Sequence, residues 1–351
     1  MTRKQDEEAR PSTFEDQQDT RPAVRRSAGL LLGAGVSLFF LWLALGDLHL
    51  AEVWAGIRRA DYRWVVPGLT LYFLSVWVRS WRWAYLLRPA KRLSGNGLFS
   101  VMTIGYMGND LFPFRLGELL RAYVLWRREG VNLGTTFTTA LVERLFDGLT
   151  MVLFVFVGLL FVPLEAGLRR PATIGAVVFV GALLFFLWIA ARPQLLRRWA
   201  EAVIGHLVPR RWRAPLLGLV EGIVTGLTVF RRPQDVLITF GYTLAVWLLE
   251  TGKYYLVSMA FGMRLPFTVI LLMAGAVNLL TALPALPGYV GVFETGIDIL
   301  AWTGVDPTVA ASYILVLHAL LWFPVVALGL YFLFREGLSW RDVQALAAGE
   351  E

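Results

Sequence analysis

The chain has 351 residues, of which 57% are hydrophobic and 17% are charged, and its mean hydropathy is +0.59. This composition excludes an ordinary soluble domain, in which about 25% of residues are charged. The lack of cysteine excludes disulfides and thiolate chemistry, and three scattered histidines do not make a metal site. The net charge of +7 comes from bases at the edges of apolar runs. Such bases indicate topology signals and contacts with anionic lipid, so we expect no nucleic-acid partner.

The chain begins with a polar segment, 1–27, which we predict to be a disordered cytoplasmic leader. No small-residue cleavage site follows the first apolar run, so a signal peptide is not expected. Apolar runs long enough to cross a bilayer then recur along the chain. They are 28–46, 65–87, 134–162, 172–191, 236–261 and 309–334.

The distribution of bases sets the predicted topology. With the N-terminus inside, eighteen Lys and Arg residues near the spans are cytoplasmic and six are external. This asymmetry favours cytoplasmic termini, including the tail 336–351, in the inner membrane. The six external bases are Arg58, Arg59, Arg63, Arg169, Arg170 and Arg264.

This topology constrains two polar-interrupted segments, because each must begin and end on one side. Residues 98–126 reach about 43 Å as a helix, whereas two crossings need about 60 Å. We therefore predict a re-entrant hairpin that breaks near residues 109–117. A single crossing is the alternative, but it would place the arginine-rich loop 192–235 outside. Segment 267–304 enters from the opposite side and breaks at Pro284, Pro287, Gly288 and Gly291.

The two breaks share an order of residue types: asparagine, proline, glycine, glutamate. They are Asn109, Pro113, Gly117 and Glu118 in the first, and Asn278, Pro284, Gly288 and Glu294 in the second. Each hairpin lies between two full spans, giving units 65–162 and 236–334. The sequence thus predicts an all-α polytopic membrane protein, 28–335, with about six full transmembrane helices and two opposed re-entrant helical hairpins in an inverted repeat. Residues 209–230 are predicted to form an interfacial amphipathic helix.

Charged side chains at bilayer depth cost about 2.5–3.5 kcal/mol each on insertion scales, so they usually face protein or water. Arg115 and Arg121 follow the first break, where a half-helix would point its N-terminus into a cavity. A guanidinium suits a phosphate, which makes this a candidate anion site. The alternative is that Arg115 pairs with Glu118 and only fixes the hairpin.

Glu143, Arg144 and Asp147 lie within one span, and the two acids share a helix face. They could pair with Arg115 or Arg121, bind a cationic headgroup or carry a proton. An internal salt-bridge cluster is an equal alternative.

Four further sites complete the polar inventory. Glu250 and Lys253 are interpreted as a self-satisfying pair. Arg79 and Arg82, near the cytoplasmic end of their span, are expected to extend to the interface, with a functional role as the alternative. Glu294 has no basic neighbour and is a candidate proton carrier or amine contact. His318 is interpreted as a hydrogen-bonding residue.

Three segments, NDLFPFRLGELLRAYVL, ALVERLFDGL and LTALPALPGYVGVFETGI, resemble hallmark segments of one family in the same order. This is the lysylphosphatidylglycerol synthase transmembrane-region family, also called the flippase-like domain family. It includes the membrane half of the bacterial multiple peptide resistance factor. The resemblance covers residues 28–335 and implies that the protein moves a lipid between leaflets. In the resistance factor this lipid is an aminoacylated phosphatidylglycerol.

The resemblance carries over by position. The substrate-binding candidates are Asn109, Arg115, Glu118, Arg121, Glu143, Arg144, Asp147, Asn278 and Glu294. The structural breaks are Pro113, Gly117, Pro284, Pro287, Gly288 and Gly291. The sequence departs from the family at Tyr289, where a glycine is usual, and at Phe293 and His318, where basic residues often occur.

The predicted function is translocation of a phosphate-containing lipid, either an aminoacylated phosphatidylglycerol or a polyprenyl-phosphate-linked sugar. No catalytic constellation or nucleotide-binding loop is found, and no aminoacyl-transferase domain follows, so a transporter without cofactor or metal is expected. Besides the lipid substrate, the candidate partners are a separate lipid-synthesising enzyme and a second copy of the chain, which would form a homodimer. The alternatives are a secondary transporter of a small soluble anion and an accessory subunit of a lipid-modifying enzyme.

Overall fold

The computed structural model describes residues 50–112, 116–161, 192–210, 232–281 and 292–338, with isolated positions between 181 and 220. Every regular element in these residues is a helix, which confirms the predicted class there. A short 3₁₀ turn, Tyr62–Trp64, follows the first helix. The helices are α1 Leu50–Arg59, α2 Val65–Leu87, α3 Gly95–Leu111, α4 Gly117–Glu129, α5 Leu133–Phe161, α6 Pro193–Leu207, α7 Pro233–Ala260, α8 Phe267–Thr281, α9 Val292–Trp302 and α10 Pro307–Arg335.

Four predicted spans coincide with described helices. The spans at 65–87, 134–162, 236–261 and 309–334 become α2, α5, α7 and α10, with ends that differ by at most three residues. The leader, the span 28–46 and most of 172–191, 209–230 and 336–351 lie outside the described residues. Helix α6 falls within the predicted cytoplasmic loop 192–235, and α1 lies in a segment for which no helix was predicted.

Local sequence explains where several helices begin and end. Proline occupies the first turn of α6, α7 and α10, where its missing N–H has no intrahelical partner to lose. Helix α4 ends with two arginines, Arg127 and Arg128, followed by Gly130 in the left-handed region at φ 68°. A glycine there closes a helix without a Cβ clash, and the arginines favour the negative end of the helix dipole.

Helix α10 has a side-chain cap that gives a direct test of its start. The Asp306 carboxylate accepts hydrogen bonds from the backbone N–H of Thr308 at 2.8 Å and of Val309 at 3.2 Å. Asp306→Ala should therefore lower the free energy of unfolding by about 1 kcal/mol. Denaturant unfolding in detergent measures this change, and Asp306→Asn, which keeps an acceptor, should restore most of it.

The helices pack in a reciprocal pattern. Helix α2 packs along α7, α5 packs along α8, and α3 packs along α10. If α2–α5 and α7–α10 are taken as two units, the last helix of each unit packs on the first hairpin helix of the other. A glycine allows close approach in each case: a Cβ at Gly275 would lie 2.7 Å from the Met151 carbonyl oxygen, and one at Gly329 would lie 2.4 Å from the Met107 Cβ.

Helices α3 and α4 contact each other through backbone atoms. A Cβ at Gly117 would lie 1.9 Å from the carbonyl oxygen of Gly105 and 2.5 Å from the backbone nitrogen of Asn109. One at Gly108 would lie 2.7 Å from the Gly117 Cα. Helix α4 therefore packs directly against α3. Gly117 was predicted to contribute to the break between the helices. The structure gives a second reason for a glycine there, because this contact leaves no room for a Cβ.

The described helices expose large apolar side chains and bury several charged side chains within an otherwise apolar core. Large apolar side chains such as Phe161, Phe323 and Phe334 are more than 60% exposed, whereas several arginines are buried. Helices α5 and α10 are each long and apolar enough to cross a membrane, and α8 is a shorter apolar helix. The exposed surface is therefore suited to lipid, and the polar groups are left to contact one another.

Candidate functional site

Charged side chains from α2, α4, α5 and α7 form one continuous chain of ion pairs, and all of them except Glu118 and Arg144 are buried. The chain alternates in sign along its whole length, so each charge has an opposite charge as a neighbour. Its members are Lys253, Glu250, Arg79, Asp147, Arg82, Glu143, Arg121, Glu118 and Arg144.

Asp147 of α5 is the centre of this network. Its two carboxylate oxygens accept hydrogen bonds from Arg82 of α2, at 2.6 Å and 3.3 Å, and the Trp247 indole donates a third at 3.0 Å. Arg79 lies 3.8 Å away. One carboxylate therefore joins three helices, and its side chain is only 3% exposed.

Toward α4 the network continues through Glu143. This carboxylate lies 3.4 Å from Arg82 and accepts a hydrogen bond from Arg121 at 2.9 Å. Arg121 also lies 2.8 Å from Glu118, whose other oxygen pairs with Arg144. The Arg121 guanidinium stacks over the Trp83 ring at 4.4 Å, which adds a cation–π contact.

Toward α7 the network ends with the pair Glu250 and Lys253. The Glu250 carboxylate accepts a hydrogen bond from Ser75 at 2.6 Å, lies 3.5 Å from Arg79 and pairs with Lys253. The fully buried Lys253 ammonium also lies over the ring of Tyr72 at 4.4 Å. The predicted Glu250–Lys253 pair is thus present, and Arg79 connects it to the other acids.

Beside the network is a cavity of about 310 Å³ at the junction of six helices. Its polar walls come from α2, α3, α5, α7, α8 and α10, so both units contribute to it. Besides apolar side chains, it is lined by Tyr72, Arg79, Tyr106, Asn109, Asp110, Arg144, Asp147, Trp247, Glu250, Tyr254, Asn278, His318 and Trp322.

A second, smaller space of about 10 Å³, large enough for one water molecule, lies next to the cavity. Glu118, Arg121 and Glu143 line this space but not the larger cavity. Arg144 lines both, as do Tyr106, Asn109 and Asp147, so these four residues separate the two spaces.

The charged groups of the cavity differ in how accessible they are. The Arg144 side chain is 37% exposed, whereas that of Arg79 is 7% exposed and is held between Trp247 and Tyr106 at 4.8 and 5.7 Å. The Asp110 carboxylate has no hydrogen bond or ion pair to the described part of the chain, although Trp322 donates to its backbone oxygen at 3.4 Å. The cavity therefore presents one accessible guanidinium and one carboxylate without a counter-charge there.

The structure brings most predicted site residues together. Asn109, Arg144, Asp147 and Asn278 line the cavity, and Asn278 donates a hydrogen bond to the Tyr254 hydroxyl at 3.2 Å. Glu118, Arg121 and Glu143 surround the adjacent small space. Of the alternatives for Glu143 and Asp147, the salt-bridge cluster is present, and Arg121 is the pairing partner of Glu143.

Other predicted residues cannot be placed in this way. Those outside the described residues are Pro113, Arg115, Pro284, Pro287, Gly288 and Gly291. Glu294 lies in the first turn of α9, but its side chain is outside the description. The predicted pair of Arg115 with Glu118 therefore stays a prediction.

The expectation that Arg79 and Arg82 extend to the membrane interface is wrong. Both are buried, with 6% and 2% of their surface exposed, and both point inward to acids on α5 and α7. A guanidinium placed among carboxylates gains charge-assisted hydrogen bonds, which a lipid-facing arginine would lack until it reached the headgroups.

Sequence reasoning also missed several cavity residues. Asp110 is an acid within an apolar segment, next to the singled-out Asn109, and that position was the available signal. Tyr106, Trp247 and Trp322 gave no signal, because aromatic side chains are frequent in apolar helices generally. His318, interpreted as a solitary hydrogen-bonding residue, lies in the cavity wall.

Comparison with known sequences decides the family. The profile of the lysylphosphatidylglycerol synthase TM region family matches residues 30–329. The chain belongs to this family. The match confirms the resemblance carried by the three polar segments and shows that this is a membrane protein.

Among curated proteins, the glycosyltransferase AglD of Haloferax volcanii is 28% identical to this family member, over 85% of this chain and 53% of AglD. The chain thus spans about half the length of that relative. A UPF0104 membrane protein of Methanothermobacter thermautotrophicus is 27% identical over 84% of this chain and 92% of its own length. A second one from the same organism is 25% identical over 87% and 94%. No solved structure matches the chain.

Proposed function

We propose that this protein moves a phosphate-containing lipid between the leaflets of the cytoplasmic membrane. The observation that carries the proposal is the cavity of about 310 Å³ between the two helical units, with the Arg144 guanidinium exposed in its wall. A planar guanidinium with five N–H donors suits a phosphate group. Charge held at such a depth in a membrane protein usually serves a pathway.

The size of the cavity supports transport of a headgroup alone. Ligand pockets for whole drug-sized molecules measure about 300–1,000 Å³, so this cavity is at the lower limit. In this proposal the acyl or prenyl tails stay in the bilayer, and only the phosphate and the group attached to it cross.

An inverted repeat is the proposed architecture, with units 65–162 and 236–334 and a re-entrant hairpin in each. It is supported by the reciprocal packing of α5 on α8 and of α10 on α3, which a two-fold relation between the units would produce. The interruption between α3 and α4 also falls at the predicted break. In this arrangement both termini are cytoplasmic.

Within the cavity the proposed roles follow charge. Arg144, with Arg115 from the adjoining segment, would neutralise the phosphate, and Arg121 would hold Glu118 near Arg144. Asn109 and Asn278 would hydrogen-bond the headgroup. Glu294 is retained as a candidate contact for an amine or a proton.

Both headgroups expected from the sequence remain candidates: an aminoacylated phosphatidylglycerol and a polyprenyl-phosphate-linked sugar. The second gains support from the relative named a glycosyltransferase, which matches this chain over half its own length. We propose that the protein is a transporter and not an enzyme, and that a separate enzyme synthesises the lipid.

Leaflet exchange in proteoliposomes tests the function. Fluorescent lipids of both headgroup classes are quenched from outside, and the rate of loss of the protected signal is measured. Wild-type protein should accelerate exchange of at least one class, and Arg115→Ala and Arg144→Gln should return it to the rate of protein-free vesicles. Arg59→Gln, at an exposed arginine of α1 that is not a member of the network, is the matched control and should behave as wild type.

Two outcomes would contradict the proposal. Exchange by folded Arg115→Ala and Arg144→Gln at the wild-type rate would exclude the phosphate role of these arginines. Wild-type protein that exchanges no lipid of the panel, but takes up labelled phosphate into sealed vesicles, would instead indicate a transporter of soluble anions.

A further inference from the structure

The Arg144–Glu118 pair occupies the boundary between the cavity and the small water-sized space. Arg144 faces both, and Glu118 reaches it only from the small space. The guanidinium can therefore be approached by the Glu118 carboxylate on one side and by a molecule in the cavity on the other.

Arg144 differs from the other arginines of the network in its partners. Arg79, Arg82 and Arg121 each lie within 4 Å of two acids. In the described residues, Arg144 lies that close only to Glu118. Its side chain is also the most exposed of the four. Donors of Arg144 are thus accessible to an anion, whereas the other three arginines are buried, each beside two acids.

Glu118 can release Arg144 without being left as an uncompensated buried charge. Its second oxygen lies 2.8 Å from Arg121, which remains fixed by Glu143 at 2.9 Å and by the Trp83 ring. Glu118 is also in the first turn of α4, where the positive end of the helix dipole favours an anion. The cost of separating the pair is therefore lower than for Asp147, which three helices share.

We infer that Glu118 is an internal counter-anion that competes with the substrate phosphate for Arg144. When a phosphate enters the cavity, it takes the Arg144 donors and Glu118 keeps Arg121. When the phosphate leaves, Glu118 returns to Arg144. The inference rests on the proposed function, and it assigns to Glu118 the release of the headgroup rather than its binding.

This competition would limit the affinity of the cavity for the phosphate. A transporter requires such a limit, because its substrate must also leave. Removal of the negative charge at position 118 should therefore tighten binding and slow release. A residue that only orients Arg144 would have the opposite effect, since its loss would weaken binding.

The test uses the full chain in detergent and glycerol 1-phosphate as a soluble probe, with binding measured by calorimetry. Glu118→Gln should bind the probe about tenfold more tightly than wild type, and leaflet exchange should be slower. Glu118→Asp keeps the negative charge but shortens the side chain by one methylene, so it should compete less strongly for Arg144 and bind the probe with intermediate affinity. Glu129→Gln, whose carboxylate contacts Lys91 and Arg128 outside the cavity, should equal wild type.

The outcomes separate this role from the proposed function. If the variants bind the probe no more tightly than wild type, with unchanged melting temperatures, the counter-anion role is wrong. If Glu118→Gln does not fold, the Glu118→Asp measurement decides. Tighter binding by the variants in a protein that exchanges no lipid would support the counter-anion role and refute lipid transport. If wild type and variants all fail to bind the probe, the counter-anion role is overturned.

Discussion

Asp147→Asn is expected to lower the free energy of unfolding by about 3–5 kcal/mol, the usual cost of removing one partner from a buried ion pair. The wild-type carboxylate contacts Arg82, Arg79 and the Trp247 indole at once. An asparagine keeps one oxygen but turns an N–H₂ group toward a guanidinium. Arg79 and Arg82 would then remain buried without the negative charge that Asp147 supplies to both.

Denaturant unfolding in detergent, followed by tryptophan fluorescence, measures this loss. Asp298→Asn is the matched control, because Asp298 lies on α9 and is exposed, and it should change stability little. Equal stability of Asp147→Asn and wild type would mean that Arg82 finds sufficient compensation in Glu143 alone.

Gly117→Ala is the second substitution expected to have a large effect. Its new methyl group would lie 1.9 Å from the Gly105 carbonyl oxygen and 2.5 Å from the Asn109 backbone nitrogen. Both obstacles are backbone atoms, so no side-chain rotation relieves the clash, and α3 and α4 must separate. We expect a loss of more than about 3 kcal/mol, beyond the usual range for overpacking, together with loss of lipid exchange.

The control for this substitution is Gly241→Ala. Gly241 lies inside α7, and a Cβ there would meet nothing within 4 Å. Alanine should stabilise that helix by up to about 1 kcal/mol. Thermal unfolding of both variants in the same detergent gives the comparison, and a Gly117→Ala protein as stable as Gly241→Ala would show that α3 and α4 are not in tight contact.

The main spans could be predicted from the sequence because length and hydropathy alone determine them. Helix α2 begins and ends where its apolar run does, and α5 is displaced by one residue. Helix α1 was missed since its ten residues are too short and too polar for a span. Its acid in the first turn, Glu52, and its bases in the last, Arg58 and Arg59, were signals of a helix.

The candidate site was predicted in part, for a different reason. Charges within apolar segments are conspicuous, so Glu143, Arg144 and Asp147 could be singled out from spacing alone. Their partners could not, because spacing does not state which face of one helix meets another. Arg82 near the end of α2 is compatible with a lipid-facing or an inward orientation, and only the position of α5 decides between them.

The order in which the network is synthesised has a consequence for membrane insertion. Arg82 precedes its partners Glu143 and Asp147 by 61 and 65 residues, and Arg79 precedes Glu250 by 171. When α2 leaves the ribosome, it carries two arginines, each costing about 2.5–3.5 kcal/mol at the centre of a bilayer, and none of their partner acids has yet been synthesised. Helix α2 must therefore stay near the translocon or at the headgroup layer until α5 emerges, and the two helices enter the lipid as a pair.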